Sequence, residues 1–365
     1  MKKKCLFTVT SLLVLAMIFS LAACGGGDTQ PSGQTGNQPG GSGTPDVKLP
    51  SMITIGTHAT GSLYNSMGSG LATVATRNTP MEIKVSAMSG PVEWMPMFAS
   101  KEIELGVLSS WDAQQAWLGG FDYEAISKDG KGFPVRLVTN GSYNIASILV
   151  SASSDIYTGE DLYGHSLVSN FTGSAGITMQ VAANLANWNL DKSKITHVSV
   201  PGITDGVDAI IEGRADATSV SLGFARTEEL ESTTGARYLD WDPSPEAVAR
   251  ANEYFPLWVE LVEPGPGRTG VVKPTYMYAF SNYLVSRTDI SDDVIYAIVE
   301  ALWDNYEELS VIHPMLIEWK SDRFVTADAT VPYHPGAIKF FEEKGIWTDE
   351  AEARQQELLA MESSK

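Results

Sequence analysis

From Met52 onward, short apolar runs alternate with longer amphipathic ones, and small polar residues punctuate them. Met52–Thr57, Glu82–Ala87 and Leu105–Ser109 read as strands, and residues 62–77, 91–100 and 111–117 as helices. Gly90, Pro91 and Glu93 supply an N-cap, a first-turn proline and an acid at the third helical position. Alternation at this spacing predicts right-handed βαβ units and a mostly parallel sheet. Residues 134–151 break the pattern with a long β-like stretch, predicted to cross into a second lobe. There the alternation resumes, with strands at 165–169, 195–200, 217–221 and 237–240 and helices at 174–188, 203–212 and 226–234. A second long β-like run, 271–287, is predicted to return. Helical patterns follow at 292–305, with Ser291 as N-cap, and at 337–344 and 349–361. The architecture that fits is α/β: two lobes joined by two β crossings, with a cleft between. Lobe I is expected in residues 51–143 and 276–365, and lobe II in 144–275.

The first fifty residues are of another kind. Lys2, Lys3 and Lys4 precede an apolar run from Leu6 to Leu21, and Ala22-Ala23-Cys24 follow. This is the layout of a secretory signal peptide over residues 1–23. The run is short for a membrane span and flows into Gly25-Gly26-Gly27. Residues 24–50 are Gly, Pro, Ser, Thr, Gln and Asn with almost nothing apolar. Such a segment predicts a flexible tether reaching on the order of 25–30 Å. A cysteine directly after the small residues resembles the lipobox of bacterial lipoproteins. That resemblance implies lipid on Cys24 and an extracytoplasmic protein anchored to the outer face of the cell membrane, on the periplasmic side in a Gram-negative cell. An ordinary signal peptide with a chance cysteine is the alternative.

The chain carries 25 Lys and Arg against 44 Asp and Glu, a net charge of −19, and loss of the three leader lysines takes it to −22. A surface of that sign repels nucleic acid and anionic headgroups, so no nucleic-acid partner is expected. It does not forbid an anionic small ligand, because local backbone dipoles outweigh distant charge. The two cysteines are Cys5 and Cys24, which leaves the folded part without a disulfide, thiol nucleophile or cysteine metal site.

Three segments share one form: a strand, a small Gly-containing turn, then a helix start. They are Thr60-Gly61-Ser62, Ser89-Gly90-Pro91 and Thr172-Gly173-Ser174-Ala175-Gly176. Helix starts offer free N–H groups to carboxylate or phosphate, and such turns lie at the carboxyl ends of strands, where open α/β sheets bind ligands. Ordinary helix capping favours the same residues. Catalytic templates fail: Gly265-Pro-Gly-Arg-Thr-Gly270 opens no helix, so it is no dinucleotide turn. His58, His165, His197, His313 and His334 lack zinc spacing. No catalytic residue, cofactor or metal is predicted. Tyr64, Trp94, Trp111, Trp117 and Phe171 fall near the expected cleft, where they line it or pack the cores. Arg226 follows a strand end and either faces the cleft or lies solvated on the surface.

The run from Ile53 through Gly56-Thr57-His58-Ala59-Thr60-Gly61-Ser62-Leu63-Tyr64 resembles the opening of the TAXI family, the extracytoplasmic solute receptors of TRAP-type transporters. Ser89-Gly90-Pro91-Val92-Glu93-Trp94, Leu108 to Asp112, Phe171 to Gly176, Val207 to Ala217 and Val331 to Ala337 follow in the order of that family's motifs. The resemblance implies a two-lobed periplasmic-binding-protein fold of type II kind, not an enzyme. It would close over a small organic acid, a carboxylate or amino acid, and deliver it to TRAP membrane subunits. By motif match the ligand shell draws on Thr60, Gly61, Ser62, Tyr64, Ser89, Gly90, Ser109, Ser110, Asp112, Thr172, Gly173 and Ser174. Trp94, Phe171 and Arg226 are added as candidates. Trp94 stands where the family has asparagine, which predicts a ligand with a more apolar tail and a selectivity role for Trp94. His334 reads as structural. The same fold serving an ABC importer or a sensor kinase is the alternative; an extracytoplasmic hydrolase is a third reading.

Overall fold

The computed structural model describes residues 49–363, the side chains of 314 and 315 excepted. The predicted leader, Cys24 and most of the tether lie outside the described residues. Lobe I begins with β1 (Met52–Thr57), α1 (Leu63–Asn78), β2 (Glu82–Ala87), α2 (Pro91–Ala99), β3 (Leu105–Ser109), α3 (Ser110–Leu118) and the short α4 (Asp122–Ile126). Strand β4 (Val135–Ser151) crosses out; its 17 residues span about 55 Å. Lobe II holds β5 (Ser166–Phe171), α5 (Ala175–Asn187), β6 (Thr196–Val200), α6 (Ile203–Ile211), β7 (Ala217–Ser221), α7 (Ala225–Thr234), β8 (Ala236–Tyr238), α8 (Pro245–Asn252) and β9 (Trp258–Val262). Strand β10 (Thr275–Arg287) returns, and α9 (Asp292–Asn305), α10 (Leu309–Ile312), α11 (Pro335–Glu343) and α12 (Asp349–Ser363) complete lobe I.

In lobe I, β1 lies between β2 and β3, parallel to both. In lobe II, β5 lies between β6 and β7, again parallel. The two crossing strands pair antiparallel with each other, β10 also with β3 and β4 also with β7. One sheet therefore runs through both lobes in the order β2-β1-β3-β10-β4-β7-β5-β6, with β8 on β4 and β9 on β10. Separate lobe sheets would leave two long strands with bare edges; pairing them with each other satisfies those backbone groups.

Each lobe has its own apolar core, one built on residues such as Met67, Phe98, Val107, Ile295 and Phe340, the other on Ile148, Val168, Val181, Val207 and Val220. Gly56 of β1 sits in register with Gly106 of β3, making a trough on the sheet. Trp94 of α2 fills it: a Cβ on Gly56 would lie 2.8 Å from the indole, and one on Gly106 2.3 Å. The expectation that Trp94 lines the cleft gives way to this packing, since only a large flat ring covers two adjacent backbone-only positions. Trp94→Ala should destabilise the protein by about 3–5 kcal/mol in denaturant unfolding. Stability within 1 kcal/mol (on the order of a surface change) would remove the ring from the core.

Candidate functional site

The glycine turns of the two lobes touch. The N–H of Val92, in the first turn of α2, donates to the carbonyl of Gly173 at 3.2 Å. A Cβ on Gly90 would stand 2.2 Å from that same carbonyl oxygen, and one on Gly173 would stand 2.6 Å from Ser89 Cβ. A few residues on, the N–H of Gly176 in α5 donates to Asp112 Oδ1 of α3 at 3.0 Å. His58, just after β1, reaches Ser174 Oγ with Nε2 at 3.4 Å. The lobes are closed on one another, and glycine is required where backbone meets backbone.

Asp112 is the charged centre of this contact. Its carboxylate accepts from Ser109 Oγ at 2.7 Å, from the Tyr123 hydroxyl at 2.7 Å and from Gly176 N. Burial raises its pKa above the usual carboxylate value, and the three hydrogen bonds oppose that rise. Tyr64 lies alongside. Burial, then the Asp112 charge, pushes its phenol far up, and the Asn144 and Ser109 side chains adjoin it. The His58 ring stacks on Tyr64 at 4.2 Å. Burial lowers the His58 pKa from 6.5 to about 3, so the imidazole is neutral. On the lobe II side the Tyr278 hydroxyl of β10 joins Gln180 Oε1 at 3.1 Å and Ser219 Oγ at 3.0 Å.

Of the residues named from sequence, Ser89, Gly90, Asp112, Gly173 and Ser174 meet at this contact, with Tyr64 and Ser109 beside it. Ser62 is buried but spends its hydroxyl capping α1, accepting from Asn65 N at 3.1 Å. Ser110 is buried, its carbonyl bound by Thr330 Oγ1 at 2.7 Å. Thr60, Gly61 and Thr172 are exposed. Phe171 belongs to the lobe II core, over Gly206. Arg226 pairs with Asp208 of α6 at 2.6 Å and with Glu229 of α7, which holds it on lobe II's own helices. His334 caps α11, its Nδ1 accepting from Gly336 N at 3.1 Å. Sequence reasoning missed His58, Tyr123, Asn144, Gln180 and Tyr278. The one signal in reach was His58, a bulky residue within a run of small ones.

A separate groove of about 530 Å³ opens on the other face of β4, lined by Tyr143, Ile145, Leu222, Leu261 and Ile317 among others. Strand pleating puts Tyr143 and Ile145 there and turns Asn144 the opposite way. Among the described residues no three His, Cys, Asp or Glu side chains group as a metal would need, and no helix is long and apolar enough to cross a membrane.

Two lobes joined through paired crossing strands of one sheet, with strand-to-helix turns facing across the junction, define the α/β periplasmic-binding-protein fold of type II. Two solved structures share it: one described as a periplasmic transporter (14% identity, TM-score 0.50, covering 83% of this chain and 95% of that one), and PhnD1 of Prochlorococcus marinus with methylphosphonate (8% identity, TM-score 0.50, 82% and 100%). No curated protein matches the sequence. A profile described as the NMT1-like family matches residues 55–345, and the chain belongs to that family.

Two outcomes follow from this geometry. A Cβ on Gly176 would lie 2.1 Å from Asp112 Oδ2. Gly176→Ala should therefore prise the lobes apart, and small-angle scattering should show a larger radius of gyration; an unchanged radius would mean the contact gives way without opening. The second concerns acid. Because the His58 pKa is depressed on burial, its contribution is intact above about 6.5 and is lost as pH falls from there toward about 3. The raised pKa of Asp112 acts in the opposite sense, so the comparison is made against His58→Gln. Between pH 7 and pH 5 the wild type should lose about 2 kcal/mol of unfolding free energy relative to that variant. Parallel pH profiles would show that His58 is not held neutral.

Proposed function

We propose that this chain is an extracytoplasmic solute receptor of the TAXI type. It captures a small organic acid, a carboxylate or amino acid, between its lobes and hands it to the membrane subunits of a TRAP transporter. The lipid on Cys24 keeps it at the membrane surface. The observation that carries the reading is the contact itself: Gly90, Asp112 and His58 of lobe I against Gly173, Gly176 and Ser174 of lobe II, with buried polar groups gathered behind it. A solute that touches both lobes only when they are shut shifts the open–closed equilibrium by its differential contacts, and the transporter reads the closed form.

Native mass spectrometry of the protein purified from its own cells should find one small acid bound, released unchanged on denaturation. A chemically altered product would favour an enzyme. Cys24→Ser should move the protein from the membrane fraction to the soluble one without lowering its melting temperature; continued membrane retention would refute the anchor.

A further inference from the structure

At each helix start of the junction at least one first-turn N–H is already taken. Ser62 caps α1, the Ser109 hydroxyl accepts from Asp112 N at 3.0 Å, and Val92 N goes to the Gly173 carbonyl. At α5, Ser174 Oγ accepts from Ile177 N, and Gly176 N is taken by Asp112. The protein's own carboxylate thus occupies the seat that a ligand carboxylate would take at that helix start. Beside them lie buried side-chain atoms without partners. His58 is 1% exposed and its Nδ1 has none; Asn144 is fully buried and, apart from the Tyr64 hydroxyl beside it, its amide has none. Both adjoin Tyr64, His58 at the ring face and Asn144 at the hydroxyl. An unmet buried amide and imidazole are costly, and such groups are retained where something else meets them.

The tautomer follows from the network. Ser174 Oγ accepts from the α5 backbone, so its proton is free to point at His58 Nε2. Nε2 is then the acceptor and Nδ1–H the donor. Two neutral donors, His58 Nδ1–H and Asn144 Nδ2–H, and one acceptor, Asn144 Oδ1, thus lie beside Tyr64. Among the described residues no ion pair joins a lysine or arginine to His58, Tyr64, Asp112 or Asn144. Asp112 meanwhile supplies a buried negative charge.

We infer that His58 and Asn144 are the residues that read the ligand, that they hold a single carboxylate through neutral donors, and that Asp112 screens out ligands with a second one. This rests on the receptor reading above and narrows its ligand to monocarboxylates, which include zwitterionic acids with no acidic side chain.

The test uses titration calorimetry with matched pairs: butyrate against succinate, pentanoate against glutarate, norvaline against glutamate. Wild type should bind a monocarboxylate of the set at least about tenfold more tightly than its dicarboxylate partner. His58→Phe keeps a flat ring on Tyr64, and Asn144→Leu keeps the volume. Asn144→Leu replaces buried amide atoms that lack a protein partner and should melt no lower than wild type, whereas His58→Phe also gives up the 3.4 Å contact with Ser174 and should melt slightly lower. In both, affinity for that monocarboxylate should fall about tenfold or more. Asp112→Asn should narrow the mono-to-dicarboxylate ratio. A dicarboxylate preferred by wild type, or either variant binding as wild type does, overturns this inference and leaves the receptor standing. Variants that melt lower and bind unchanged assign the two residues to packing and overturn it as well. If no acid of either kind binds wild type, this inference and the acid-receptor reading both fall.

Discussion

The antiparallel pairing of β4 with β10 is the constraint on which both lobes hang. Each strand carries an edge of both half-sheets, so nothing in one lobe moves against the other without bending this two-strand ribbon. Its ladder runs from Tyr278↔Ala146 to Arg287↔Val135 and is irregular between Ser281 and Tyr283 and between Leu284 and Val285. Such irregularities bend a strand and re-aim its side chains. They fall where the ribbon passes from one lobe to the other. Here too lie Thr139, Asn140, Ser142, Asn144 and Asn282, each with a buried side-chain atom lacking a partner. On the outer face, Trp319 lies against Gly141. A ribbon of valines would pack better. It would also have nothing with which to hold a polar solute, and local departures from good packing belong where function needs them.

Much of the fold is written in the alternation of apolar runs. Strands β1, β2, β3 and β7 and helix α9 have the bounds their sequences predict, because each run is closed by Gly, Pro or a Ser cap. Strand β9 was not legible: Trp258–Val262 is a half-exposed edge strand pairing only with β10, and its alternation is blurred by exposed Trp258 and Leu261. Helix α8 carried its signal, Ser244 before Pro245 and Glu246, but is too short and polar to stand out by periodicity. The continuous sheet was also hidden, since no pattern within either crossing says that its partner is the other.

The site was half legible for a related reason. Turns announce themselves by clusters of small residues, so Gly90, Gly173 and Ser174 could be named. Asn144 is one amide in a strand, Tyr123 one phenol in a five-residue helix, and each acquires its neighbours only when separate elements pack, Tyr123 on Asp112 and Asn144 on Tyr64. Trp94 misled because proximity in sequence to a glycine turn says nothing about which side of α2 faces out. The pairing Gly56↔Gly106 decides it, and that pair is 50 residues apart in the chain.

Closure itself depends on which groups are left once the helix starts are satisfied. In many α/β receptors a free helix N-terminus is the natural anion seat. In this chain α1, α3 and α5 are each capped by their own serine, α2 by a carbonyl of the opposite lobe, and α5 additionally by Asp112. The glycine turn after β1 exposes Thr60 and Gly61 and buries His58 instead. The chemistry of that turn has moved from backbone N–H groups to an imidazole. A protein whose lobes meet through its own backbone and its own carboxylate needs no ligand to touch. On the reading proposed above, a ligand is selected by what it adds to that contact, and His58 and Asn144, both beside Tyr64, are among the buried neutral groups still able to gain a partner.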